Sequence, residues 1–415
     1  MDAKNHKLNS SKLLDVPLNV SNPMLCFKCD YKRKIRMNEV TIMDLPRVIM
    51  VEILSRLPIK SIFCCKTVCK LWYHLLTSDP LFLKLYHTSN FPCILFSDDD
   101  SITSLLELKA DYDYKSQPLN RPIVLSPKFH LPPLKLKPQV LIGSCNGFVC
   151  LLDGSTYDEK HSVYINNPLL GEYFKLKLPE WEKSLRNVAY GFCYSEASGQ
   201  YKVLRLVFRK LLDHPIISEL EVYTLGVDEN WRNVGQVPCP VWYHFGKVYV
   251  NGALHWLADE KNESIYSFDI GTEKLKSLPP PPCLKTQWWL TLAELGNCLF
   301  LTDSNIDRQC VDIWWMKQYG IAESWTKDCI LMDSLPPGMG RYSLEMILIW
   351  KDGEILMQNG RRLASYNPKE KKSKEVNVYN SGTVATRYIP SFHSLKTVMG
   401  NNFQVSNVYS KTQII

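Results

Sequence analysis

The amino-acid sequence predicts an α+β multidomain protein, in which a small all-α domain precedes a larger all-β domain of the propeller type. Between residues 41 and 87, apolar residues recur at helical spacing. After residue 90 the pattern changes to alternation, with Gly and Pro marking the turns. A strand-and-turn unit of about 45–55 residues then repeats along the chain, which is typical of propeller blades.

The composition is that of a folded, multidomain protein. The chain has 415 residues, of which 45% are hydrophobic and 22% are charged. Its net charge of +7 is spread along the chain, so nucleic acid is not predicted as a partner. No run of about 18 apolar residues occurs, and the N-terminus lacks an apolar h-region. We therefore expect no membrane contact, a cytoplasmic or nuclear location, and reduced thiols for the 14 cysteines.

Residues 1–40 are polar and aperiodic, and we expect them to form a disordered leader. Met37, just before the organised region, is an alternative candidate for the start of translation. Cys26 and Cys29 have the spacing of zinc ligands, but no second pair follows at a fitting distance. The sequence therefore predicts no metal site and no cofactor. The basic run from Lys32 to Arg36 fits solvated linker charge better than a nuclear signal.

Three or four short helices are expected in residues 41–87. Asp44 is predicted to cap the first helix, with Pro46 in its first turn and Pro58 ending it. Asp79–Pro80 is predicted to start the last helix. The apolar residues of the first helix are Ile49, Ile53, Leu54 and Leu57, those of the second are Ile62 and Phe63, and those of the third are Val68, Leu71, Trp72 and Leu75.

A helical domain of this size buries too little surface to be stable without further contacts. One interpretation is that it packs on the rest of the same chain. The other is that a partner protein covers its apolar surface.

The order of residues in this segment resembles an F-box. The matching stretches are LP at 45–46, IL at 53–54, RLPIKS at 56–61, KTVCK at 66–70, the tryptophan at 72 and PLF at 80–82. The resemblance implies that the helices dock on a Skp-type adaptor and, through it, on a cullin–RING ubiquitin ligase. The residues that it implies as lining or supporting this interface are Leu45, Pro46, Ile53, Leu54, Leu57, Pro58, Val68, Cys69 and Trp72.

Five segments of the β region begin with glycine and continue as a short apolar strand. They start at Gly147, Gly199, Gly252, Gly296 and Gly353. Each is followed by two further strands around a polar turn. Because a four-stranded unit is apolar on both faces, radial packing is the arrangement that buries both. We predict six blades, the sixth being a composite of the strand at 93–96 and the segment at 388–398. Five or seven blades fit the same pattern, and so does a β-sandwich.

The β region also resembles the F-box associated (kelch-like) domain of the large plant F-box family. The matching stretches include GSCNGFVCLL, NNPLLGEYFKL, GFCYSEASGQYKVLRL and VNGALHWLA. The predicted organisation is a leader (1–40), the F-box helices (41–87), the propeller-like domain (90–400) and a polar tail (401–415).

No catalytic motif of the HExxH, P-loop or GxGxxG type is present in the sequence. The glycines of GSCNG at 143–147 fit a strand start better than a nucleophile elbow. His255 is expected to be a structural strand residue. Of the adjacent tryptophans 314 and 315, and likewise 288 and 289, one is expected in the core, because neighbours in a strand face opposite sides. The run KEKKSKE at 369–375 is expected to be a solvated hairpin tip.

The long connections between strands are the predicted target-binding surface, because they carry residue types enriched at interface hot spots. These residues are Trp242, Tyr243, Trp288 and Arg341. The leading functional hypothesis is a non-catalytic substrate-receptor subunit of an SCF ubiquitin ligase. The alternatives are an adaptor-bound regulator without a degradation target and a propeller enzyme with a metal or redox centre.

Overall fold

The structure is a computed structural model of the chain. It describes residues 44–89, 93–97, 102–107, 134–136, 139–182, 184–209, 216–241, 245–258, 265–282, 290–304, 309–339, 344–349, 353–376 and 384–408. The chain divides into two compact units, Met1–Leu45 and Pro46–Ile415. The predicted leader, with Cys26, Cys29 and the basic run, lies outside the described residues, and all elements below belong to the second unit.

Four short helices open the second unit, as the sequence predicts: α1 (Arg47–Ser55), α2 (Ile59–Lys66), α3 (Lys70–Ser78) and α4 (Pro80–Ser89). The predicted cap of α1 is wrong, because the N-cap position is Pro46 and not Asp44. The Pro46 carbonyl accepts the first helical hydrogen bonds, from Ile49 (2.9 Å) and Met50 (3.1 Å). Val68 lies in the turn before α3 rather than on it.

Asp79 links the two ends of this helical domain. Its Oδ1 atom accepts hydrogen bonds from the backbone N–H groups of Leu81 (2.9 Å) and Phe82 (3.3 Å), as expected of a residue that starts a helix. Its Oδ2 atom accepts from Arg47 Nε of α1 at 2.8 Å. The predicted start of α4 at Asp79–Pro80 is therefore confirmed, and the same carboxylate connects α1 with α4.

Six antiparallel sheets follow and form a six-bladed propeller, which confirms the predicted fold. The composite blade contains β1 (Cys93–Ser97), β2 (Ile102–Glu107) and β23 (Val384–Tyr388). Blade 2 contains β3 (Gln139–Cys145), β4 (Phe148–Asp153), β5 (Ser162–Asn167), β6 (Glu172–Lys175) and β24 (Ser406–Asn407). Blade 3 contains β7 (Leu185–Ser195), β8 (Gln200–Arg209), β9 (Ile217–Thr224) and β10 (Arg232–Val237).

The remaining blades follow in chain order. Blade 4 contains β11 (Val248–Val250), β12 (Ala253–Leu257), β13 (Ile265–Asp269) and β14 (Lys274–Leu278). Blade 5 contains β15 (Leu290–Leu295), β16 (Cys298–Asp303), β17 (Cys310–Met316) and β18 (Trp325–Leu331). Blade 6 contains β19 (Glu345–Ile349), β20 (Ile355–Asn359), β21 (Arg362–Asn367) and β22 (Lys372–Val376).

The composite blade closes the ring by pairing the two ends of the domain. Strand β1 runs antiparallel to β23, with Cys93 opposite Tyr388 and Ser97 opposite Val384. The predicted partner segment, 388–398, lies mostly beyond this strand. Pro390 has no N–H to donate to a ladder, and Ser394 caps a short helix, α5 (Leu395–Met399), by accepting a hydrogen bond from its backbone.

The five predicted glycine-led segments are the second strands of blades 2 to 6, namely β4, β8, β12, β16 and β20. In blade 2 the turn before this strand is Asn146–Gly147, and both residues have positive φ (45° and 88°). A Cβ atom on Gly147 would lie 2.2 Å from the Ser391 side chain. Glycine is therefore needed here both for the hairpin turn and for close approach of the C-terminal segment. The GSCNG motif is accordingly a hairpin.

Buried apolar clusters fill the spaces between consecutive blades. The neighbouring tryptophans of β17 illustrate this arrangement. Trp314 packs in the cluster between blades 4 and 5, while Trp315 packs against the cluster between blades 5 and 6. The prediction that they face opposite sides is confirmed; Trp288 and Trp289 lie outside the described residues. The run at 369–375 forms an exposed turn and continues into the exposed outer strand β22.

The chain remains part of the propeller beyond residue 401, so the predicted boundary of the polar tail is wrong. Strand β24 pairs with β6, and the Phe403 ring packs against Phe174 with centroids 6.0 Å apart. This hydrogen-bonded edge gives blade 2 a fifth strand. Residues 403–408 are therefore structural rather than tail.

A partly buried ion cluster joins blades 3 and 4. Glu273, in the β13–β14 turn, accepts hydrogen bonds from Arg232 Nη2 and Lys202 Nζ, each at 2.8 Å. Lys202 also donates to the Ile270 carbonyl at 2.8 Å, and its side chain is only 6% exposed. The hydrogen bonds from Arg232 and then from Lys202 lower the Glu273 pKa to about 2.

We predict that Glu273→Gln destabilises the propeller by about 3–5 kcal/mol, because it leaves the Lys202 charge buried without its carboxylate. Chemical denaturation at neutral pH measures this loss. The double variant Lys202→Met, Glu273→Leu removes both charges and should regain most of the loss. Because the folded pKa of Glu273 is depressed, its contribution should be complete above about pH 4.5 and fall as the pH drops toward 2. A Glu273→Gln variant as stable as wild type at pH 7 contradicts the prediction.

Candidate adaptor-binding face

The helical domain has two apolar faces, and the propeller covers one of them. The inner face packs in one buried cluster with residues of the composite blade and blade 2. Its helix members are Met50, Val51, Leu54, Ile59, Ile62, Trp72, Leu75, Leu76, Phe82 and Tyr86. Its propeller members include Cys93, Leu95, Leu105, Val149, Leu151, Tyr164, Leu169 and Leu170. The interpretation that the helices pack on the same chain is therefore right for this face.

The helices also carry apolar side chains that the propeller leaves exposed, and this set is here called the outer apolar face. It lies on α1, on the turn between α2 and α3, and on α3. Its members and their exposed fractions are Val48 (62%), Ile49 (48%), Ile53 (40%), Val68 (62%) and Leu71 (56%). Scattered single apolar residues are normal on a protein surface, whereas five on one small helical domain indicate a binding face.

The structure divides the nine residues that the F-box resemblance implies into three groups. Pro46, Ile53, Pro58 and Val68 are exposed. Leu45, Leu57 and Cys69 are half-buried. Leu54 and Trp72 are buried in the inner cluster, at 1% and 7% exposure, so they support the helices from inside and do not line an outer interface.

Sequence reasoning missed Val48 and placed Ile49 and Leu71 with the residues that prove to be buried. In α1, Met50, Val51 and Leu54 point inward while Ile49 and Ile53 point outward. The sequence did contain a signal for two faces. Ile49 and Ile53 form an i, i+4 pair, and Met50, Val51 and Leu54 form a second apolar set on the same helix. Helix α1 therefore carries apolar surface that the propeller does not cover.

The helical domain carries an excess of positive charge. Residues 44–89 contain six Lys and Arg and three Asp and Glu. Arg56, Lys60 and Lys70 are exposed, and Arg56 pairs with Glu52 on the same helix. This arrangement favours an acidic partner.

The predicted target-binding residues Trp242, Tyr243, Trp288 and Arg341 all lie outside the described residues. The strand ends that flank them are described and share one face of the propeller. In each four-stranded antiparallel blade, the first-to-second and third-to-fourth turns lie at one end, and the blade-to-blade connections leave from the other. Leu169 and Leu170, in the β5–β6 turn, share a buried cluster with the helices. The connections that carry the four residues therefore start and end on the opposite face.

The histidine singled out in the sequence lies inside a blade. His255 is buried in β12, with Nε2 2.7 Å from the Tyr319 hydroxyl, and burial lowers its pKa to about 4. It is a neutral strand residue. Within the described residues, no group of three or more His, Cys, Asp or Glu side chains is placed to hold a metal ion. None of the described helices is long and apolar enough to cross a membrane.

Comparison with protein families matches both parts of the chain. Residues 42–84 match the F-box domain, and residues 93–402 match the F-box associated beta propeller domain. The chain is an F-box protein with an F-box associated propeller. The resemblance read from the sequence is confirmed, and α1–α4 are from here on called the F-box helices.

Relatives of this chain include F-box proteins of Arabidopsis thaliana. F-box protein At3g07870 is 29% identical over 80% of this chain and 87% of its own length. F-box/kelch-repeat protein At3g23880 is 29% identical over 68% of this chain and 78% of its own length. F-box protein CPR1 is 24% identical over 86% and 88%. Among solved structures, the SapL1 lectin in complex with alpha methyl fucoside has a TM-score of 0.36 and 11% identity over 72% of this chain and 97% of its own, too low to support a conclusion.

The two faces of α1 predict a large loss of stability for a change at one residue and almost none for a change at its neighbour. Leu54→Ala should lower the free energy of unfolding by about 2–5 kcal/mol, because it opens a cavity in the inner cluster. Ile53→Ala should change it by less than about 0.5 kcal/mol, because Ile53 is on the outer face. Denaturant titration of the two purified variants measures the difference. Equal losses for both variants would show that the faces are assigned wrongly.

Proposed function

We propose that this protein is the substrate-receptor subunit of an SCF-type ubiquitin ligase. The F-box helices dock a Skp-type adaptor, and the propeller captures a target protein for ubiquitination. The observation that supports this most directly is the division of the helices into an inner face covered by the propeller and an outer apolar face that remains exposed.

The adaptor contact is proposed to centre on Ile53 and Val68, with Pro46 and Pro58 at its margin. Burying a side chain of this size is worth about 1.5–3 kcal/mol, so a few such residues account for a stable complex. Ile49 and Leu71 extend the same face. The excess of positive charge on the helical domain adds attraction to an acidic adaptor.

The target is proposed to bind the propeller face that carries the blade-to-blade connections, turned away from the F-box helices. Trp242, Tyr243, Trp288 and Arg341 belong to these connections and are residue types that anchor interfaces. In this proposal the chain carries no active site of its own. It raises the effective concentration of a target lysine near the charged ubiquitin-conjugating enzyme.

We predict that Ile53→Asp combined with Val68→Asp abolishes capture of the Skp-type adaptor and the cullin. Loss of two apolar anchors should weaken binding by about 100-fold or more. Affinity purification of the tagged full chain measures the result, and Leu45→Ala with Pro46→Ala tests the start of the F-box in the same way. The matched control is Val227→Asp, which changes a valine that is 57% exposed in the blade 3 turn between β9 and β10.

The control should retain the adaptor. Full retention by the Ile53→Asp, Val68→Asp variant would overturn the proposed docking face. Proteins that stay bound to that variant are candidate targets, and they should accumulate in cells that lack this chain. If none of them accumulates, the chain is a regulator without a degradation target.

A further inference from the structure

The chain segment that follows β23 contacts both the F-box helices and the propeller. We propose that this segment, residues 389–399, called the C-terminal strut, fixes the angle between the F-box helices and the propeller and thereby positions a bound target relative to the ligase. The inference rests on the proposed function and adds to it two positioning residues, Phe392 and Ser394.

On the side of the helices, the strut contacts three of the four. The Phe392 ring is fully buried and packs edge-on against Phe63 of α2 and Tyr86 of α4, with ring centroids 5.5 Å apart in both cases. The backbone N–H of Ser394 donates to the Thr77 carbonyl, near the end of α3, at 3.3 Å. Aromatic pairs of this geometry add specific contacts beyond area burial.

On the side of the propeller, two buried polar residues of blade 2 bind the strut. Asn167 Nδ2 donates to the carbonyls of Ser391 (3.1 Å) and His393 (2.8 Å). The Glu172 carboxylate accepts from Ser394 Oγ at 2.9 Å and from the next backbone N–H at 2.7 Å. Glu172 is only 2% exposed, so its carboxylate oxygens are satisfied by hydrogen bonds from the strut.

The strut is also anchored between two blades. Leu395 and Met399 of α5 are fully buried in the cluster between blades 2 and 3. The Val398 carbonyl lies so close to Gly226 that a Cβ atom there would be 2.2 Å away. One short segment is therefore held rigidly by the propeller while its Phe392 ring is inserted among the helices.

This arrangement matters because effective concentration depends on geometry. A bound target gains reactivity only if the adaptor-bound end and the target-bound end are held at a productive distance. A hinge between the F-box helices and the propeller would spread the target lysines over a large volume. The strut removes that freedom by linking α2, α3 and α4 to blades 2 and 3.

The test is a distance measurement by pulsed electron paramagnetic resonance on the full chain, with and without bound Skp-type adaptor. Because the chain has 14 cysteines, spin labels are placed on a ketone-bearing amino acid at two exposed lysines, Lys84 on α4 and Lys276 on β14. We expect one narrow distance distribution for the wild type. Phe392→Ala should broaden it or add a second population, and Phe392→Leu should restore most of the narrow population.

The matched control is Phe403→Ala, which removes another aromatic ring of the C-terminal region. That ring packs on Phe174 within blade 2, so the distribution should stay narrow. Ser394→Ala removes a hydrogen bond to Glu172 without removing apolar volume, and it should broaden the distribution even if Phe392→Ala fails to fold. The inference is overturned if the wild-type distance distribution is broad, or if the distributions of Phe392→Ala and Ser394→Ala are both narrow. Failure to bind adaptor, with the distances as expected, overturns the proposed function alone.

Discussion

The buried cluster shared by the F-box helices and the propeller is the interaction on which the rest of the structure depends. Leu54, Trp72 and Phe82 of the helices meet Leu95 and Val149 of the propeller in one core. Four short helices cannot hold their shape without such a core. Because the propeller supplies it, the helices can keep their other apolar face exposed and still be folded.

The ring of blades closes next to this buried cluster. Strand β1 comes directly after the helices in the chain, and β23 comes directly before the strut, so the composite blade joins both ends of the propeller next to the F-box. The Tyr388 hydroxyl adds a hydrogen bond to the Gly147 carbonyl of blade 2 at 3.0 Å. We therefore expect that destabilising the composite blade weakens both the closure of the ring and the packing of the helices on the propeller.

Much of the fold could be predicted because turn chemistry repeats. The turn before each second strand needs positive φ, which places a glycine within two residues of that strand in blades 2 to 6 and makes those strands recognisable. The first strands give a weaker signal: β11 has only three residues, and most of β15 is half-buried without alternation. The late strand of the composite blade was predicted at 388–398, whereas β23 is Val384–Tyr388. The error arose because α5 is as apolar as a short strand.

Only part of the candidate site could be predicted from the sequence, and the reason why the rest could not is physical. Helical periodicity shows that Leu54 and Ile53 both lie on apolar faces, but it does not show which face meets the propeller. That distinction depends on residues far away in sequence, such as Leu169 and Phe392, which no local pattern links to α1. The Pro46 cap was missed for a related reason, since Asp44 is the better capping residue by local preference.

The heat capacity change on binding purified Skp-type adaptor to the full wild-type chain, measured by titration calorimetry, tests the central claim most directly. A preformed helical domain with one exposed apolar face predicts one-to-one binding with a moderately negative heat capacity change, from burial of that face alone. Absence of binding would contradict the account. So would a heat capacity change as large as that for folding the whole helical domain, because the helices would then not be held by the propeller beforehand.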